Sequence, residues 1–227
     1  MLTDVKDLIE IDFKTINPRI LNYINHELDK CRANGISIYM PKRRSIAHSG
    51  GDYCAGYLEV DHPSGRPMFA VACGRSIRNW LLIFVHESCH LDQWLEQVPF
   101  WEVYVNGEST LDVMDQWLNL KVDLNSRELK AVFDNVIEIE ADCERRSVEK
   151  IKQWDLPINI DSYIRKSNAY IWSYRLMQET RNWNHTAAYG HGPVWRAMPK
   201  YFDQTYDVLP DKIRNTFYKH IEHFSRI

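Results

Sequence analysis

The sequence predicts an α+β protein: a small antiparallel sheet, then one long apolar helix, then a mostly helical C-terminal half. Three observations carry this. Short β-prone runs punctuated by Pro and Gly precede Gly74, residues 76–96 are apolar nearly all round, and beyond Ser109 the apolar period is helical. At 227 residues, 44% hydrophobic and 26% charged, with twelve Tyr and eight Trp, the chain can bury a core of its own. A single domain is expected over 1–227, with the sheet and long helix in 1–100 and the helical part in 101–227.

Taken in order, Pro18–Ala33 places Ile20, Leu21, Tyr23, Ile24 and Leu28 on one face and is followed by Gly35, the pattern of an amphipathic helix with a glycine stop. Strands are expected at Ile36–Met40, Cys54–Val60 and Met68–Cys73. Pro41, Gly50-Gly51 and Pro63-Ser64-Gly65 separate them, which reads as an antiparallel meander. A buried helix follows at Ser76–Glu96. Further helices are expected at Ser109–Leu120, Ser126–Ile151, Asp161–Arg181, Val194–Phe202 and Asp211–Phe224.

The formal net charge is −3, and the basic clusters Lys42-Arg43-Arg44 and Arg145-Arg146 are short, so no nucleic-acid footprint is visible. The N-terminus from Met1 to Asp7 lacks a basic stretch followed by an apolar core, and the longest apolar run, Trp80 to Val85, is too short to span a bilayer. Five scattered cysteines, Cys31, Cys54, Cys73, Cys89 and Cys143, form no CxxC pair, which points to reduced thiols in a cytoplasmic protein.

The long apolar helix contains His86-Glu87-Ser88-Cys89-His90. Residues four apart share a helix face, so His86 and His90 can present imidazoles to one zinc ion. Glu87 is rotated about 100° from His86, beside the position a water would take. Zinc would lower that water's pKa toward about 7 and polarise a carbonyl, and Glu87 would accept the proton. The opposing reading is two core histidines satisfied by carbonyls, and Cys89 reads as packing.

A catalytic zinc needs a third protein ligand, and the segment Val136–Arg146 offers carboxylates on a predicted helix. Helical phase places Leu129, Val132, Phe133, Val136, Ser147 and Ile151 on one stripe with Glu140 at its centre, whereas Glu138 and Asp142 point nearly the opposite way. A carboxylate in an apolar stripe must be paired or metal-bound, which makes Glu140 the expected third ligand. Glu144 shares its face, either as a partner that fixes a ligand histidine or as a solvated charge. Tyr170, Trp172, Tyr174, Trp183 and Trp195, at helical spacing, read as core.

On His86–His90 and Glu140–Glu144 the chain resembles the gluzincin class of metallopeptidases, in which HExxH on one helix is completed by a Glu on a later one. The resemblance also offers Glu138 as ligand, because Glu138-Ile139-Glu140-Ala141-Asp142 fits the pattern Glu-x-x-Ala-Asp. A second likeness lies in Tyr189-Gly190-His191-Gly192-Pro193-Val194-Trp195, which is similar to the Gly-His-Gly-Pro segment of SprT-like proteases and implies His191 as a rival ligand. The plain alternative for that segment is a turn before a helix with Pro193 in its first position.

Together these imply a zinc-dependent hydrolase of peptide or amide bonds, with a peptide or protein as substrate. Its rivals are a non-catalytic zinc-binding structural or regulatory protein and a SprT-like DNA-associated protease. Glu87 argues against a purely structural site, which needs ligands alone.

Overall fold

The computed structural model describes residues 7–49, 51, 53–183 and 189–221. The N-terminal stretch up to Lys6, Gly50 and the predicted end of the last helix, residues 222–224, lie outside them. The chain divides into two compact units: Met1–Glu96 with Glu149–Ile158, and Gln97–Val148 with Asn159–Ile227. The fold is α+β, with small sheets and a helical C-terminal half.

In the first unit, strand β1 (Leu8–Ile9) precedes helix α1 (Pro18–Ala33), β2 (Ser37–Met40), β3 (Ile46–Ala47), β4 (Tyr53–Cys54), β5 (Gly56–Glu59), β6 (Met68–Val71) and helix α2 (Ile77–Leu95). Helix α1 starts as its residues dictate: the Asn17 side chain accepts from the Arg19 N–H and Pro18 occupies the first turn. It stops at Gly35, whose φ of 70° costs a residue without Cβ little.

The sheet corrects the expected antiparallel meander. Its order is β1-β2-β6-β5; β1 with β2 and β2 with β6 are parallel, and β5 with β6 alone is antiparallel. The chain between β2 and β6 contains three further strands, long enough for β6 to return beside β2 in the same direction, which a tight hairpin could not do. All four residues of β6 are buried, so this strand is covered on both faces and shows no alternation. The expected strand Cys54–Val60 serves two ladders: Cys54 pairs with Ile46 in a two-stranded ribbon, and Gly56 pairs with Val71 in the main sheet.

Helix α2 packs on β5 and β6. Phe84 meets Phe69 and Tyr23 edge-on, with ring centroids 5.3 Å and 5.8 Å away, and joins sheet, α1 and α2 in one core. On the other face, Met68 and Ala70 pack with Ile46 and Ala72 under the ribbon.

The second unit holds the hairpin β7 (Tyr104–Val105) and β8 (Glu108–Ser109), then α3 (Thr110–Leu118), most of α4 (Ser126–Gln153), α5 (Ile160–Thr180), α6 (Gly192–Ala197) and α7 (Asp211–Ile221). Helix α4 is set by a reciprocal cap: Asn125 Oδ1 accepts from the N–H groups of Arg127 and Glu128, and the Glu128 carboxylate accepts from the Asn125 N–H. Helix α6 is shorter than the expected Val194–Phe202. Pro199 forces Met198 into an extended conformation, ψ 155°, so the helix ends before it. Val132, Phe133, Val136, Trp172, Leu176 and Phe217 lie in the core of this unit. Among the described residues no helix is long and apolar enough to cross a membrane.

Candidate metal centre on helix α2

His86 and His90 sit one turn apart in the C-terminal half of α2, and their Nε2 atoms are 3.1 Å apart. The rings stand nearly perpendicular, with an interplanar angle of 88° and centroids 4.6 Å apart, and the two Nε2 atoms meet at hydrogen-bond distance. Two imidazole nitrogens bound to one zinc at near-tetrahedral angle lie roughly 3.3–3.4 Å apart. The pair therefore fits a shared ion with a small opening of the rings, and these side chains are close enough to ligate together. His90 is buried and His86 half-buried.

Glu87 is buried at 6% exposure, next to the pair on the same helix. Gly56 of β5 makes room for it: a Cβ there would lie 3.1 Å from Glu87 Cγ and 2.5 Å from Ile83 Cγ2. A glycine at this strand position lets β5 approach α2 where the carboxylate lies.

The histidine orientation has support that the sequence reading did not single out. His90 Nδ1 lies 2.8 Å from Gln93 Oε1, and Gln93 is fully buried. Opposite, α2 is held by a group of buried charges. Lys150 Nζ contacts Glu27 Oε1 at 2.9 Å and Asp92 Oδ2 at 2.7 Å, while Lys30 Nζ contacts Glu27 Oε2 at 2.7 Å and Asp92 Oδ1 at 2.6 Å. Two carboxylates and two ammonium groups thus alternate in a neutral ring. Burial alone would raise the Asp92 pKa, but Lys150 and Lys30 outweigh it and hold the carboxyl below its ordinary range. Lys150 also donates to the Ser88 carbonyl and hydroxyl, each at 3.0 Å; Ser88 Oγ donates to Val85 O and lies 2.7 Å from the Tyr23 hydroxyl.

The remaining candidates belong to the second unit. Glu140 is buried on α4, whereas the Glu138 side chain is 55% exposed and 3.8 Å from Arg145, so the helical phase read from the sequence separates the two as expected. Tyr170 and Tyr174 place their hydroxyls 3.2 Å and 3.3 Å from Glu140 Oε1 and 2.7 Å from each other. Burial, and then the Glu140 charge, pushes both phenols well above their ordinary pKa, so they remain donors. The sequence reading gave these tyrosines no role beyond packing; their four-residue spacing on α5 was the available signal.

Glu144 is buried, which overturns the solvated alternative, and accepts from Ser167 Oγ at 2.7 Å. His191 is the N-cap of α6 with Pro193 in the first turn, and its ring lies 5.1 Å from that of His220. Trp183 is 58% exposed and is not core. Cys89 is buried within α2, and none of the five cysteines forms a disulfide. The chain matches no protein-family model, no curated protein and no solved structure.

Proposed function

We propose that this protein is a zinc-dependent hydrolase of peptide or amide bonds, with His86 and His90 as metal ligands and Glu87 as general base. The convergence of the two Nε2 atoms on α2 carries this reading. Zinc held there would polarise the substrate carbonyl and make a water acidic enough to attack at neutral pH. Glu87, buried beside the pair, takes the proton from the attacking water and returns it to the leaving amine. A carboxylate buried one residue from His86 is the group that a hydrolytic site needs beside its ligands, which favours an enzyme over a zinc-stapled scaffold.

The third ligand expected from the sequence is Glu140, a buried carboxylate on α4 whose Oε1 accepts from the Tyr170 and Tyr174 hydroxyls. Substitution separates ligand from base. Glu87→Gln should keep zinc and lose cleavage of a mixed peptide substrate, whereas Glu140→Gln should weaken zinc binding. Unchanged cleavage by Glu87→Gln would overturn the enzyme reading. Release of zinc by Glu138→Gln or His191→Ala, with Glu140→Gln binding normally, would move the third ligand.

A further inference from the structure

We propose that Gln93 is a positioning residue that fixes the tautomer of His90 with its proton on Nδ1, leaving Nε2 bare toward His86. The inference rests on the metal reading for its consequence but on local geometry for its content. Gln93 is one turn beyond His90 on α2 and fully buried, and its Oε1 lies 2.8 Å from Nδ1. A carbonyl oxygen can only accept, so the imidazole must donate from Nδ1. A neutral imidazole has a single N–H, so Nε2 keeps its lone pair, the state required of a ligand.

The 3.1 Å Nε2···Nε2 contact then has one consistent assignment without metal: His86 donates from Nε2 to His90. The proton that His86 donates would have to leave its Nε2 before a metal could be held there. His90 is poised in advance and His86 is not. The rear of α2 makes the arrangement stiff, since Ser88 and Asp92, which flank this turn, are held by Lys150, and Asp92 is held also by Lys30.

Long-range 1H–15N correlation of the full-length, metal-free protein reads each ring nitrogen directly. His90 should show a protonated Nδ1 and a bare Nε2. Gln93→Leu, similar in size but without an acceptor, should shift His90 toward the Nε2–H form and lower zinc affinity about 10–100-fold. Gln93→Glu, which restores an acceptor at that place, should return both the tautomer and tight binding. An Nε2–H form of His90 in the unaltered protein would overturn the proposal whether or not any variant folds, because the Gln93 amide would then be donating to Nδ1. Unchanged tautomer and affinity in a folded Gln93→Leu would overturn it as well. If the unaltered protein binds no zinc yet shows the Nδ1–H form, and Gln93→Leu loses it, the metal reading fails while the positioning role stands.

Discussion

Removing Lys150 should unbalance the charge ring behind α2 and destabilise the first unit severely. The ammonium is the driest of the two cations: its side chain is 11% exposed against 25% for Lys30, and its partner Glu27 is 1% exposed. Lys150→Met keeps the length and most of the apolar stem, so the loss is mainly electrostatic. It turns a neutral group of two acids and two bases into one with an excess buried negative charge. It also takes a charged donor from the Ser88 carbonyl. Breaking a buried pair by deleting one partner costs about 3–5 kcal/mol. That is a large part of the roughly 5–15 kcal/mol that holds a typical domain folded.

Urea unfolding, followed by circular dichroism and by tryptophan fluorescence, measures it. A double variant, Lys150→Met with Glu27→Gln, is the control, since it restores neutrality with Lys30 facing Asp92. Its cost should fall short of the sum of the two single costs by about 2 kcal/mol or more. A single-variant loss below about 1 kcal/mol, or simple additivity, would refute the claim that these charges act as one buried group.

At Gly56, alanine would bring a Cβ to within 2.5 Å of Ile83 Cγ2 and 3.0 Å of the Ala70 carbonyl, so thermal melts of Gly56→Ala should show a loss of about 1–3 kcal/mol. Adding Ile83→Ala should recover only the part due to the side-chain clash; full insensitivity to Gly56→Ala would argue against a close approach of β5 to α2. Asp134 accepts from Arg175 at 2.6 Å and pairs with Lys130; burial would raise its pKa, but these two cations hold it below the ordinary carboxylate value. A depressed folded pKa means that its stabilisation is complete above the unfolded value near 3.9 and disappears as pH falls through the lower folded value. Asp134→Asn should therefore cost on the order of 1 kcal/mol at neutral pH, after solvent screening, and progressively less below about pH 4. A pH-independent difference would contradict the ion-pair assignment.

What the sequence announced and what it concealed divide by distance along the chain. Helix α1 was legible from end to end because Asn17-Pro18 and Gly35 are local signals read by the backbone beside them. The burial of Glu140 and exposure of Glu138 were legible because a long uninterrupted helix preserves phase. Strand pairing was not, since the same Met68–Val71 run suits an antiparallel or a parallel neighbour until the path of the chain from Pro41 to Pro67 is known. The ring of Glu27, Lys30, Asp92 and Lys150 draws on three helices, and no spacing rule brings residue 150 to residue 27. In the candidate site, His86, Glu87 and His90 were visible as a motif. Gln93, only three residues on, escaped because a buried amide on an apolar helix has many ordinary uses, and its partner is identified only by the distance to Nδ1.

We propose that α2 holds a zinc ion between His86 and His90. Elemental analysis of the purified full-length chain, equilibrated with zinc and freed of excess, tests it most directly. About one ion per chain is expected, with loss of that ion in the His86→Ala, His90→Ala double variant and its retention in Glu87→Gln. An unaltered protein that takes up no zinc, or a folded double variant that keeps a full equivalent, would contradict the account.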